Sequence, residues 1–352
     1  MNWNPIRMSP VEYVNRPGIL QELHEIIVLK KYQHVAILTD ENVIDATKGF
    51  VPDDFYSRYQ LIKFAGTCSY EETYRVQAIV DSNTDVLIAL GGGKLLDTAK
   101  NVADNLSINL INVPTLPSNC ASIATKSMVY SEEDHVLVGR ERHAQAVSLV
   151  LVDPLLLRQA PKNYILSGIG DTLAKWYEIR RRLQVPEAEG PALDIARKTI
   201  EVSRERTLAI TDLSLLDDKQ VFADLLDTIY LIAASVDGFA VEKGRSVGAH
   251  SFHNGYLTVR HHPEKTHGEI VAFGVLTQLA VEKEFDEIGK LIPFYENIGL
   301  PTHLSEMKLT ENTDDIHKIA LDIVDESNVR IQTVYPGLPV EEMETAINYF
   351  KG

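Results

Sequence analysis

Cysteine is scarce in this chain: Cys68 and Cys120 are the only two in 352 residues. With no CxxC spacing, that excludes a disulfide framework and thiol-based zinc or redox motifs, and it fits the cytoplasm. Long apolar runs are missing as well. No stretch approaches the roughly 20 residues that a bilayer span requires, and MNWNPIRMSPVEYV has no apolar signal core, so the sequence reads as neither secreted nor membrane-bound. Positive charge is the third shortage. Lys and Arg number 34 against 50 Asp and Glu, a net −16 with a pI near 5.1. Such a field repels phosphate backbones and anionic lipids, which argues against nucleic-acid or membrane partners and leaves a small-molecule substrate. Internal repeats, low-complexity tracts and charge blocks are also absent.

What is present is an ordinary globular composition, 45% hydrophobic and 24% charged with 20 Gly and 15 Pro. The length exceeds one comfortable core, so two domains with a ligand cleft between them are expected. In the first part, apolar runs that read as strands (34–40, 85–90, 109–115 and 147–154) alternate with helical stretches at 72–83 and 94–106. That succession implies a parallel sheet with helices on both faces, a nucleotide-binding architecture. From about Tyr164 the apolar spacing becomes helical almost without interruption, including one run from 219 to 244. We therefore expect an α/β domain over 1–157 and an all-α domain over 158–352.

Gly91-Gly92-Gly93-Lys94 follows a buried strand and opens a helix whose first turns carry Asp97 and Lys100. Consecutive glycines let backbone approach a diphosphate, and the free N–H groups and dipole of the helix start attract the anion. The loop fits neither GxGxxG nor GxxxxGK[ST]. GGGKLLDTAK resembles instead the GGGxxxDxAK signature of the family of iron-containing alcohol dehydrogenases and glycerol dehydrogenases, to which dehydroquinate synthases are more distantly related. NVPTLPSNC (112–120), GIGDTLAKWYE (168–178), and GAHSFHNG with THGEIVAFG extend the resemblance along nearly the whole chain.

The resemblance implies a dehydroquinate synthase-like fold and hydride transfer between NAD(H) and a metal-polarised CH–OH carbon. It assigns Gly92, Gly93 and Lys94 to the pyrophosphate, with Asp97, Thr115, Ser118 and Tyr130 around the rest of the cofactor. Ala124 and Lys126 depart from the Ser and Leu of glycerol dehydrogenases. Asp40, ending the strand HVAILTD, suits a ribose 2′-OH and repels a 2′-phosphate, favouring NAD over NADP. TDEN is also a good turn and helix start, which leaves a solvated turn residue as the other reading.

The same resemblance makes Asp171, His250 and His267 the ligands of one divalent ion. A carboxylate and two imidazoles leave a coordination position open, as a Lewis-acid catalyst needs. Asp171 is read near the start of a helix, after Gly168 and Gly170. Lys175 stands where iron-dependent members carry a further histidine; an ammonium cannot ligate, so zinc is favoured and Fe2+ is the alternative. The resemblance places His253 beside the nicotinamide, in the substrate pocket, with proton transfer as its role, while His261 and His262 read as solvent-exposed.

Glycerol dehydrogenases carry Asp where this chain has Cys120. Loss of that carboxylate permits an acidic substrate. Together with NPIR (4–7) and GIGDTLAKWYE, it makes the chain most similar to the hydroxycarboxylate dehydrogenase branch, which reduces 2-oxo acids. Lys175 is then the candidate partner of the substrate carboxylate, against a solvated helix lysine as the plain alternative. That branch tends toward NADPH, contrary to Asp40. The competing functions are a glycerol dehydrogenase, a dehydroquinate synthase-like lyase and a silent cofactor-binding regulator, and related enzymes lead us to expect a homo-oligomer.

Overall fold

Apolar runs of four to six residues with no polar interruption can only be strands buried on both faces, and the N-terminal half is built from them. The computed structural model describes residues 5–133, 136–184, 189–261, 263–311 and 313–351. Of the NPIR and histidine readings above, Asn4 and His262 lie outside these. Eight strands form: β1 (Glu12–Asn15), β2 (Val35–Thr39), β3 (Gln60–Lys63), β4 (Val86–Gly91), β5 (Asn109–Pro114), β6 (Lys126–Tyr130), β7 (Leu137–Arg142) and β8 (Leu149–Val152). Six of them make one parallel sheet in the order β1-β8-β5-β4-β2-β3, and β6 and β7 pair as a separate antiparallel hairpin.

Alternate strand residues supply two cores. Val35, Ile37, Val86, Ile88, Leu90, Ile111, Val113, Leu149 and Leu151 pack in one cluster with Ile19, Leu20, Leu23, Ile27, Val43 and Phe55 from the segments that follow β1 and β2. Ala36, Leu38, Leu87, Ala89, Leu110 and Val150 are equally buried and point to the opposite face, as the two-residue period requires. The chain moves one way along the sheet after β1 and β2 and the other way after β3 and β4. Right-handed crossovers therefore put the helices Tyr70–Ile79 and Gly93–Leu106 on that second face. The connections diverge above the carboxyl ends of β2 and β4, where Asp40 and the glycine loop lie; such a switch point is where open parallel sheets bind ligands.

The chain forms two compact units, one of Ile6–Pro161 with Phe222–Gly238, the other of Lys162–Val221 with Phe239–Gly352. The segment Phe222–Gly238 thus groups with the sheet. Within that unit Asp227 accepts from the Tyr13 hydroxyl (2.8 Å) and the Asn15 amide (2.7 Å), and the Tyr230 hydroxyl donates to the Leu116 carbonyl at 2.9 Å. The run at 219–244 is helical throughout, as its periodicity implied: α-helix Lys219–Asp227 passes through a π-helical turn Thr228–Ile232 into α-helix Ala233–Ala240, and a 3-10 turn Val241–Gly244 ends it.

The other unit is helical. Its centre is His267–Val281, a helix buried at every position from Gly268 to Ala280. Apolar residues all round it, rather than a stripe, are what a fully enclosed helix demands. Against it lie Lys162–Leu183 and Gly248–Val259. Among the described residues, no helix is long and apolar enough to cross a membrane.

Candidate functional site

The glycine loop and its surroundings belong to the sheet unit. Gly92 is the N-cap of helix Gly93–Leu106, with φ −84°, and no side chain caps that helix start. The first intrahelical bond runs from the Leu96 N–H to the Gly92 carbonyl, so the preceding N–H groups have no place in the helix ladder, the arrangement with which helix starts can hold anions. None of the three glycines has a positive φ. Their value is the missing side chain: a Cβ at Gly91 would come within 2.7 Å of Leu95 Cδ1, and one at Gly93 within 3.1 Å of the Asn119 amide. Lys94 is exposed, with Nζ 5.8 Å from the Tyr130 ring centre. Thr115 is buried, its N–H bonded to the Gly91 carbonyl, and Ser118 is half-buried. Asp40 sits at the end of β2 and uses one carboxylate oxygen to cap the Val43 N–H at 3.0 Å.

Asp97 is committed to the protein. One oxygen accepts from the Met128 N–H at 3.0 Å, and the other lies 2.8 Å from Lys100 Nζ. That ammonium also donates to the carbonyls of Ala124 (3.0 Å) and Lys126 (2.6 Å). Burial raises the Asp97 carboxyl above its usual range while Lys100 opposes the shift. The pair anchors the helix to the β6–β7 hairpin, and it is met where the sequence motif placed a cofactor contact. Lys126 in turn pairs with Asp237 at 2.7 Å. Ala124 and Cys120 are buried, and the Cys120 carbonyl accepts from Ile123 and Ala124.

In the helical unit, Asp171, His250 and His267 converge, with candidate ligand atoms all within 4.8 Å of one another. Asp171 Oδ1 lies 3.3 Å from His250 Nε2 and 3.4 Å from His267 Nε2. These spacings match the edge of a tetrahedron with bonds of about 2.1 Å, which is about 3.4 Å; the donor set fits a divalent ion.

Asp171 is not near a helix start, as the sequence suggested, but inside the long helix Lys162–Leu183. Gly168 and Gly170 do not break that helix. A Cβ on Gly170 would overlap the Gly268 carbonyl, and one on Gly268 would overlap the Ser167 carbonyl. The Ser167 hydroxyl accepts from the Gly268 N–H at 2.9 Å. A second crossing sets Gly274 against the Ala249 backbone. These two contacts bring Asp171 to His267, first residue of its helix, and to His250, third residue of its own. A capping box between Thr266 and Glu269 fixes the start at His267.

Lys175, one turn beyond Asp171, has its Nζ 3.9 Å from Asp171 Oδ2, and its side chain is only 13% exposed. Burial raises the Asp171 carboxyl, but Lys175 and the two imidazoles hold it well below the usual range. Burial lowers His250, yet Glu178 and Asp171 outweigh it and raise the imidazole above its ordinary value. Glu178 escaped the sequence reading although it ends the quoted motif GIGDTLAKWYE. Seven residues after Asp171, it lies on the same helix face, and its carboxylate meets His250 Nδ1 at 2.7 Å. His253 is buried with Nε2 3.0 Å from His267 Nδ1. Burial and the neighbouring His267 push it well below its usual value, so it is neutral. His261 is exposed.

The family model for iron-containing alcohol dehydrogenase matches residues 10–154. The chain is 32% identical to hydroxycarboxylate dehydrogenase A of Escherichia coli (strain K12) over 329 residues, covering 91% of this chain and 90% of that protein. It is 30% identical to glycerol dehydrogenase of Thermotoga maritima, covering 88% and 87%. A crystal structure of a probable glycerol dehydrogenase from Sinorhizobium meliloti 1021 superposes with a TM-score of 0.81 over 98% of this chain and 97% of that one, at 24% identity.

Gly268→Ala is expected to force the two helices apart, lowering thermal stability and abolishing tight metal uptake. A metal affinity within twofold of the parent would contradict the crossing as the source of the geometry. His250 is raised above its ordinary value of about 6.5, so an ion binding this ring competes with protons. Calorimetric titration with Zn2+ near neutrality in buffers of different ionisation enthalpy should show proton release that fades at alkaline pH. Release that is absent at neutrality, or that grows with pH, would contradict the assignment.

Proposed function

Because the chain belongs to the iron-containing alcohol dehydrogenase family, and is thus an oxidoreductase acting on CH–OH groups, we propose that it interconverts 2-oxo acids and 2-hydroxy acids with NAD(H) and one divalent ion. The observation that carries the substrate class is Lys175. Its largely buried ammonium stands 3.9 Å from Asp171 Oδ2, beside the proposed ion, where it can pair with the carboxylate of a substrate whose oxygen meets that ion. Cys120 strengthens the reading, since a carboxylate at that position would repel an acidic substrate. Hydroxycarboxylate dehydrogenase A is among the relatives. Glycerol oxidation is the second reading, favoured by the glycerol dehydrogenases among them.

In this reading Asp171, His250 and His267 hold the ion, whose Lewis acidity would favour the ionised form of the substrate oxygen. Zinc suits an O,N,N set with no sulfur, and Fe2+ is the alternative. The uncapped helix start at Gly92, Gly93 and Lys94 takes the pyrophosphate, with Thr115, Ser118 and Tyr130 beside it, and Asp40 takes the ribose of NAD in preference to NADP. Asp97 acts through the anchor it makes with Lys100. His253 acts on the site through its hydrogen bond to His267. Lys175 orients the acid by its carboxylate, so that the reacting carbon is presented in one pose.

Steady-state kinetics test this. The value of kcat/KM for 2-oxobutyrate with NADH should exceed that for glycerol with NAD, and Cys120→Asp should move the ratio toward polyols. A tenfold preference of the unaltered protein for glycerol, about 1.4 kcal/mol in transition-state binding, would return it to the glycerol dehydrogenases.

A further inference from the structure

The helix that carries His250 begins without a cap of its own. Its N-cap residue is Val247, whose side chain has no acceptor, yet the first N–H groups of a helix need partners when buried. Glu178 and Gln278, on neighbouring helices, share them: Glu178 Oε1 accepts from the Val247 N–H at 2.7 Å and the His250 N–H at 3.0 Å, and Gln278 Oε1 accepts from the N–H groups of Gly248 (2.9 Å) and Ala249 (3.3 Å). The other oxygen of Glu178, Oε2, is 2.7 Å from His250 Nδ1. The Glu178 side chain is 1% exposed, and two backbone N–H groups donating to one of its oxygens favour the ionised, accepting form of the carboxyl. An ionised carboxylate can only accept. All three hydrogen bonds therefore run toward it, and Nδ1 of His250 must carry the proton.

We infer that Glu178 is a positioning residue for the proposed metal site, an inference that rests on the triad reading above. It fixes His250 in the tautomer whose Nε2 lone pair faces Asp171 and His267, and it seats the helix start that holds this ring in place. His267 is held differently. Its Nδ1 faces the ring of His253, whose own Nδ1 lies 3.2 Å from the Asn254 side-chain oxygen. His250 is thus the ligand with the ionic partner, which makes it the better donor of the two.

The isosteric variant Glu178→Gln separates this role from simple packing. Glutamine can still accept the two backbone N–H groups through its oxygen, but the amide NH2 then points at Nδ1. That donor drives the imidazole proton to Nε2, where the ion must bind. Metal-free full-length protein would be titrated with Zn2+ against a chromophoric chelator, and the imidazole nitrogens of the zinc-loaded protein followed by 15N NMR. The unaltered protein should bind one Zn2+ with Nδ1 of His250 protonated and Nε2 coordinated. Glu178→Gln should bind it about 10–100-fold more weakly, and Glu178→Asp, which keeps the charge, should recover part of the loss. If the unaltered protein binds no Zn2+ at the triad, the metal reading falls and this inference with it. If it binds normally and Glu178→Gln is equal to it, the inference alone falls. Should Glu178→Gln fail to fold, the spectrum of the unaltered protein decides: coordination through Nδ1, or an unprotonated Nδ1, overturns the proposal.

Discussion

Everything in the candidate metal site hangs on backbone touching backbone where helices cross. Helices with ordinary side chains at the contact keep their axes about 8–10 Å apart. Gly170 against Gly268, and Gly274 against Ala249, remove the side chains that would hold the three helices at that distance. Only then can a carboxylate from the middle of one helix reach imidazoles at the starts of two others. Glycine inside a helix costs about 1 kcal/mol relative to alanine. The crossings at Gly170, Gly268 and Gly274 carry that cost, which the enclosed packing of His267–Val281 offsets.

The convergence also concentrates charge where water is scarce. Asp171 and Glu178 are almost wholly buried, and desolvating a carboxylate costs several kcal/mol unless partners compensate. Lys175 and the imidazoles compensate in part, and the backbone N–H groups of Val247 and His250 complete the shell of Glu178. The contacts of Asp171 to Lys175, His250 and His267 run from 3.3 to 3.9 Å, longer than those that Glu178 makes. A cation bound among them would add its binding energy to the stability of the folded state.

Much of this was legible in the chain. Apolar runs bounded by turns identified β2, β4, β5 and β8, and a triple glycine between strand and helix marked a candidate diphosphate-binding loop. The resemblance of four motifs to one family supplied the triad. Other features depend on partners remote in sequence and left no local signal. Gly168 and Gly170 read as preceding a helix start because the backbone of Gly268, about a hundred positions later, which Gly170 meets inside the helix, leaves no local signal. Strand β7, LVGRER, alternates half-buried and exposed residues but is short and charged, so nothing distinguished it from a loop. The π-helical turn at Thr228–Ile232 lies where Asp227 and Tyr230 bond to Tyr13, Asn15 and Leu116, all remote in sequence, and helical periodicity does not register it. Glu178 did have a signal, its seven-residue spacing from Asp171, but its partner is a ring nitrogen seventy-two positions away.

The central claim is that Asp171, His250 and His267 hold one ion, and anomalous diffraction tests it most directly. Crystals of metal-loaded protein, measured at the absorption edge of the bound element, should show one strong peak within about 2.0–2.2 Å of an Asp171 oxygen and of Nε2 on both histidines. A peak bonded elsewhere, coordination through Nδ1 of either histidine, or a fully loaded protein with no density between these three side chains would contradict the account.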